Sequence, residues 1–241
     1  MTPATEITKD VVIKLLSIVD AGLINGMGSA DENGKGVPGA MCVEAAVCFA
    51  LGLPHGDDPQ CVAPSLRSLK IKLNDYLWSS DQARAKGLRR LAVIQLGSKG
   101  HLDAKEFATR CAVLATKTSV PIALRAAASI HKDPAHVQAL RDAANRCEIE
   151  GSQKSAQDAR AVAQSARADA AAYDASDAAS DAAAYAYAAA ASDAAAYAAD
   201  TYAYAARDKS LADFAEGVVQ ILIEMKVPGV QWLALTELEA A

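Results

Sequence analysis

Residues 156–206 contain 28 alanines in 51 positions, with no glycine, no proline and only one valine, Val162. Alanine has the highest intrinsic helix propensity, because its side chain loses no conformational entropy on folding. The tract is therefore predicted to be helical. Helices without large apolar side chains must approach closely to pack, so we expect backbone separations at the short end of the usual range of about 8 to 10 Å.

The tract has an internal repeat, in which DAAAY occurs three times at an interval of twelve residues, starting at Asp169, Asp181 and Asp193. Polar side chains recur every four positions, whereas an α-helix has 3.6 residues per turn, so a single straight helix would have no constant buried face. We therefore predict two or three shorter helices that break near residues 176–181 and 192–193. Serine followed by aspartate supplies a helix cap at both breaks.

The rest of the chain also shows helical spacing and capping signals. Six glycines between Gly22 and Gly39 predict a long loop, and no segment shows the alternating pattern of a β-strand. The predicted helices are residues 2–23, with Pro3 in the first turn, 40–52, about 80–97, one starting at Asp103, one from Pro121 to near His131, one from Asp133 to near Gly151, and an apolar helix carrying Phe214, Val218, Val219, Ile221, Leu222 and Met225.

These signals predict an all-α fold of stacked antiparallel helices, in a helical bundle or a short solenoid, with a tightly packed alanine-rich C-terminal half. Two regions are expected. Residues 1–100 form an N-terminal helical region with the glycine-rich loop at 22–39, and residues 101–241 form an alanine-rich helical region. A single domain that is continuous through both regions is the alternative.

The regular helices from Asp103, the segment RCAVLATKTSVPIALRAAA and the tract ADAAAYDASDAASDAAAYAYAAAASDAAAYAADTYAYAARD resemble the alanine-rich immunity proteins of bacterial polymorphic toxin systems. The resemblance begins near residue 101 and extends to the C-terminus. It implies a helical protein that neutralises a toxin or another defence component by binding to it.

Composition limits the location and the partners. The net charge of −5 argues against a nucleic-acid binder. No run approaches the roughly 20 large apolar residues of a membrane span. The N-terminal sequence MTPATEITKD lacks the regions of a signal peptide, and the number of cysteines is odd, so we expect a reducing, cytoplasmic location. The cysteines are Cys42, Cys48, Cys61, Cys111 and Cys147.

Six of the seven tyrosines lie in or just after the repeats. Tyrosine offers a large contact area with few rotamers, and neighbouring aspartates would steer a basic partner. The alternative is that the tyrosines fill gaps between helices while the aspartates are solvated. The predicted partner-binding residues are Tyr173, Tyr185, Tyr187, Tyr197, Tyr202, Tyr204, Asp177, Asp181, Asp193 and Asp200.

Residues 60–110 are basic, with ten Lys and Arg against four Asp and Glu. They indicate either a site that pairs with an anionic ligand or a solvated helix face. The anion-binding candidates are Arg84, Lys86, Arg89 and Arg90.

Three other groups of residues give weaker indications of a metal site, a catalytic site or an ion-binding loop. The gaps between Cys42, Cys48, His55 and Cys61 do not match zinc-ligand spacing, so buried structural cysteines are favoured over a metal site. A catalytic set of Cys42 with Glu44, His55, Asp57 and Asp58 would need a base within hydrogen-bonding distance of the thiol, which the sequence does not establish. DENGKG fits neither a phosphate-binding loop nor a calcium loop.

We therefore predict a non-catalytic binding protein without cofactor or metal, which acts on a protein partner. Sequestration of an anionic small molecule or nucleotide is one alternative, and a self-assembling homo-oligomer is the other.

Overall fold

Helices make up most of the chain in the computed structural model, which describes residues 6–169 and 204–237. Their packing confirms the predicted all-α fold, with one exception, a two-stranded sheet. In chain order the elements are α1 (Lys9–Asp20), β1 (Gly28–Ala30), β2 (Gly36–Met41), α2 (Val43–Ala50), α3 (Pro64–Asp75), α4 (Asp81–Ile94), α5 (Ala104–Ile130), α6 (Pro134–Glu150), α7 (Gln153–Asp169), α8 (Tyr204–Glu224) and a 3₁₀ helix (Pro228–Glu237).

The described chain divides into two compact units. Unit 1 comprises residues 6–107 and 215–237, and unit 2 comprises residues 108–169 and 204–214. Residues 215–237 belong to unit 1, and the 3₁₀ helix among them packs against α4 and α1. The predicted boundary at residue 100 and the alternative of one continuous domain both stay predictions.

Unit 1 is built around the apolar faces of α1, α2 and α4. Thr8 caps α1, and its Oγ1 accepts a hydrogen bond from the Val11 amide at 3.4 Å. The predicted start at Pro3 was therefore wrong, because the chain enters the helix only after Thr8, which has an extended backbone. Residues from these helices that are buried in the core include Val12, Leu15, Val19, Val47, Leu88, Leu91 and Ile94.

The glycine-rich segment is not the structureless loop that we predicted. β1 and β2 pair antiparallel, with Gly28 opposite Met41 and Ala30 opposite Gly36. Gly28 and Gly34 have positive φ angles of 84° and 74°, which favour glycine. The strands carry few of the large β-branched or aromatic side chains that mark a strand in a sequence, so the pattern gave no signal for them.

Unit 2 confirms close packing through alanine where the structure describes it. α6 packs against α7, and the side chains buried between them are mostly methyl groups. Asp133 caps the start of α6, and Gly151, at φ 59°, ends it, both as the sequence predicts. The buried alanines of these two helices are Ala143, Ala144, Ala156, Ala159, Ala163 and Ala166.

Pro121 does not begin a helix, contrary to the sequence prediction. α5 runs without a break from Ala104 to Ile130, with Pro121 inside it. An interior proline removes one backbone hydrogen bond and costs about 3 kcal/mol. Val120, Leu124 and Ala127, on either side of the proline, are buried. Their packing offsets this cost, so the helix continues through Pro121.

The predicted breaks in the alanine tract, near residues 176–181 and 192–193, lie outside the described residues. The structure describes the two ends of the tract, which are residues 156–169 in α7 and residues 204–206 at the start of α8. Along α8, Phe214, Val218, Val219 and Leu222 are buried, as predicted, and Ile221 and Met225 are half-buried.

α5 is long and apolar enough to cross a membrane by length and composition alone, over Ala104–Ser129. Of that apolar window, 61% is buried inside the protein. This degree of burial is that of a core helix in a folded protein.

Because α7 packs through alanine, we expect leucine substitutions at two of its alanines to have very different effects on the free energy of unfolding. Ala159→Leu should lower the free energy of unfolding by about 1 to 3 kcal/mol, because a larger side chain overpacks the closely spaced helices. Ala161 is exposed on the same helix, and Ala161→Leu should change stability by less than about 0.5 kcal/mol. Urea denaturation of both variants tests this, and equal stabilities would contradict alanine-specific packing.

Candidate functional site

The predicted partner-binding residues fall almost entirely outside the described part of the chain. Tyr204 is the first described residue of α8, and its side chain is not described. The other five tyrosines and the four aspartates lie between residues 170 and 203. Their role stays a prediction.

The predicted anion-binding residues lie on α4, but three of them are engaged by the protein itself. Arg84 is only 5% exposed. Its Nε donates to the Asn74 carbonyl at 2.7 Å, and its Nη1 donates to the Leu23 carbonyl at 2.7 Å and to Asp81 Oδ1 at 2.6 Å. The guanidinium therefore joins α4 to the C-terminal end of α3 and to the segment that follows α1.

The next two arginines of α4 pair with carboxylates from elsewhere in unit 1. Arg89 binds both carboxylate oxygens of Asp20, at 2.7 and 3.1 Å, and also donates to the Thr236 carbonyl. Arg90 Nη1 donates to Glu216 Oε1 at 2.5 Å. An anionic ligand would have to compete with these internal acceptors, whereas Lys86 is exposed.

A buried polar cluster that the sequence prediction missed lies at the centre of unit 1. Lys70 Nζ on α3 is 2.8 Å from Glu44 Oε1 on α2, and both side chains are fully buried. Lys70 also donates to Gln95 Oε1, and Gln95 Nε2 donates to the Ala92 carbonyl at 3.1 Å. The cluster therefore connects α2, α3 and the C-terminal end of α4.

Burial shifts both ionisable groups of the cluster towards their neutral forms. Desolvation raises the pKa of Glu44, and the charge and hydrogen bonding of Lys70 oppose this shift. Desolvation likewise lowers the pKa of Lys70, opposed by the charge of Glu44. Both carboxylate oxygens of Glu44 lack a well-aligned hydrogen bond, so the ammonium of Lys70 supplies most of their stabilisation.

Two sequence signals could have located this pair. Glu44 is the only charge in the apolar segment AMCVEAAVCFALG. Lys70 stands at helical spacing with Leu66, Leu69 and Leu73, so it falls on the apolar face of α3. A charged residue in the buried face of each of two helices indicates a buried pair.

The cysteines near this cluster are held in forms that react poorly. Cys42 Sγ accepts a hydrogen bond from the Ala45 amide at 3.3 Å and caps α2. Desolvation raises the pKa of Cys42 and of Cys61, and it raises that of Cys48 to about 12. A protonated thiol is a weak nucleophile and a weak metal ligand.

The acidic residues and the histidine of the candidate catalytic set each contact a group outside that set. Asp57 pairs with Arg67 Nη2 at 2.8 Å, and Asp58 lies 3.5 Å from the same guanidinium. His55 Nε2 is 3.4 Å from the Gly28 carbonyl oxygen. Glu44 is engaged by Lys70. These contacts are structural and lie outside the set. Within residues 6–169 and 204–237, no three His, Cys, Asp or Glu side chains converge on a metal position.

No protein-family model, curated protein or solved structure matches this chain. The functional proposal therefore depends on the residues and on the resemblance described above.

Proposed function

We propose that this chain is a non-catalytic binding protein that acts on a protein partner through its alanine-rich half. The supporting observation is the arrangement of α7, which forms the first part of the tract. Its alanines at 156, 159, 163 and 166 are buried, whereas Lys154, Gln157 and Gln164 are exposed. If the repeats also bury their alanines and expose their polar side chains, methyl groups form the packing faces and the larger side chains are available to a partner.

The charge of the alanine-rich half favours a basic partner. Residues 151–241 contain thirteen Asp and Glu against six Lys and Arg. Opposite charge on a partner increases the association rate, and this effect weakens as salt screens it. Together with the resemblance to immunity proteins, this leads us to propose an inhibitory role towards a basic toxin or defence component.

The two alternatives from the sequence remain as proposals with less support. Sequestration of an anionic small molecule or nucleotide would use the basic residues of α4 and the glycine-rich segment, but all three arginines of α4 bind internal acceptors. Self-assembly into a homo-oligomer would use alanine-rich faces between copies. Light scattering across a range of concentrations separates self-assembly from the favoured function, which requires no second copy.

The experiment uses proteins encoded beside this gene, which are the natural candidates for a toxin partner. Their binding to the full chain is measured by calorimetry, before and after Tyr185, Tyr187 and Tyr197 are all changed to alanine. We expect the triple variant to bind at least about tenfold more weakly, because tyrosines at binding hot spots contribute more than 1 kcal/mol each.

A matched control removes an exposed apolar side chain outside the tract. Leu77 is 59% exposed in unit 1, so Leu77→Ala should leave the affinity unchanged. Circular dichroism must show that all variants stay helical. Full affinity in the folded triple variant would rule out the tyrosine surface.

A further inference from the structure

The imidazole of His55 lies against the hairpin in unit 1. It belongs to the connection between α2 and α3, and its Nε2 is 3.4 Å from the carbonyl oxygen of Gly28 in β1. A carbonyl oxygen only accepts hydrogen bonds, so this contact assigns the ring proton to Nε2. Nδ1 is then the nitrogen with a free lone pair.

Nδ1 of His55 is buried and has no hydrogen-bond partner. Such a buried acceptor is uncommon in native proteins and calls for an explanation. A Cβ atom placed on Gly36 in β2 would lie 3.1 Å from this nitrogen and would overlap Sδ of Met41. The imidazole lone pair and the thioether sulfur therefore border the same point beside β2.

We propose that Met41 Sδ and His55 Nδ1 form a binding site for a soft monovalent metal ion, with Cu(I) as the natural ligand. Thioether sulfur selects Cu(I), and imidazole is also a good copper ligand. Zinc, in contrast, takes four ligands at structural sites, usually thiolates and imidazoles.

The surroundings of His55 match those of a metal-binding histidine. Such a histidine almost always donates its other ring N–H to a carboxylate, a carbonyl or water, which fixes the tautomer and orients the ring. The Gly28 carbonyl has this role here. Met41 is fully buried whereas His55 is partly exposed, so the ion would enter from the side of the imidazole.

Gly36 keeps the two donor atoms close to the strand. Any larger residue would place its Cβ where Met41 Sδ lies. Gly36→Ala should therefore displace the sulfur and weaken ion binding, although neither ligand is changed. This site lies in unit 1 and is independent of the function proposed for the alanine-rich half.

The test uses the full chain with Cys61→Ser, because Cys61 is the one cysteine of the five that is only partly buried and would compete for the ion. Ag(I), which is not oxidised in air, serves as the probe in calorimetric titrations. We expect one bound ion per chain, with affinity reduced at least about tenfold by His55→Gln and by Met41→Leu. The matched controls His101→Gln and Met225→Leu should bind like the parent protein.

X-ray absorption of the Cu(I)-loaded parent protein supplies a readout that needs no ligand variant. The expected first coordination shell contains both sulfur and nitrogen. A shell of sulfur alone would place the ion at cysteines and overturn the site. Unchanged Ag(I) affinity in folded His55→Gln would overturn it as well, even if Met41→Leu fails to fold.

Discussion

Replacing Lys70 with methionine is expected to lower the free energy of unfolding by about 3 to 5 kcal/mol. Methionine fills a similar volume but removes the charge that contributes most to offsetting the burial of the Glu44 carboxylate, which leaves only the weaker influence of Arg67. It also leaves Gln95 Oε1 without its donor. The loss is measured by urea denaturation at pH 7.

The pH dependence of the variant identifies the cause. Burial raises the pKa of Glu44 above its ordinary value of 4.5, and removal of Lys70 removes the main opposing influence. The folded protein then holds a proton that the unfolded chain releases, so this stabilisation is complete below pH 4.5 and is lost as the pH rises through the raised pKa. Lys70→Met should therefore recover stability relative to the parent protein on acidification.

A double variant serves as the control. In Glu44→Met/Lys70→Met both charges are gone, and apolar replacement of a buried pair is often neutral or stabilising. Its stability should exceed that of Lys70→Met at pH 7, and the difference should shrink in acid. Equal stabilities of the two variants at pH 7 would show that the carboxylate is not the source of the loss.

Replacing Arg84 with methionine is expected to cost about 3 kcal/mol or more of stability. Each buried acceptor that loses its donor costs about 1 to 3 kcal/mol. The variant leaves the carbonyls of Asn74 and Leu23 without the guanidinium that binds them. Thermal and urea unfolding measure the change.

Lys86→Met on the same helix is the matched control for Arg84→Met. Lys86 is exposed, so its replacement should change stability by less than about 0.5 kcal/mol. Similar losses in both variants would mean that the hydrogen bonds of Arg84 contribute little. The comparison also distinguishes two of the four residues that the sequence analysis named as anion-binding candidates.

Capping residues in the sequence correctly predicted several helix ends, because such an end depends on only one or two residues. Asp103, whose Oδ1 accepts from the Glu106 amide at 2.8 Å, marks the start of α5. Asp133 and Gly151 mark the two ends of α6. These signals are reliable because capping is decided by groups within a few residues of the helix end.

Local sequence signals gave the wrong secondary structure where tertiary packing outweighed the conformational preference of individual residues. Pro121 favours a helix start, yet the buried neighbours of α5 hold the helix together across it. The glycine-rich segment forms a hairpin, in which β1 pairs with β2 and His55 from a later segment contacts the Gly28 carbonyl. Neither effect can be derived from the residues of the segment itself.

The sequence by itself determined that the described chain is mostly helical and that the alanines of α7 pack closely against a neighbouring helix, because both properties follow from the side chains of each segment. Only the tertiary structure decided which partner each inward-facing charged residue meets. Lys70 and Arg84 look like members of one basic region, but each is buried against an acceptor distant in sequence, Glu44 for the lysine and the Leu23 carbonyl for the arginine. Pairing depends on which segments meet in space, and no single segment contains that information.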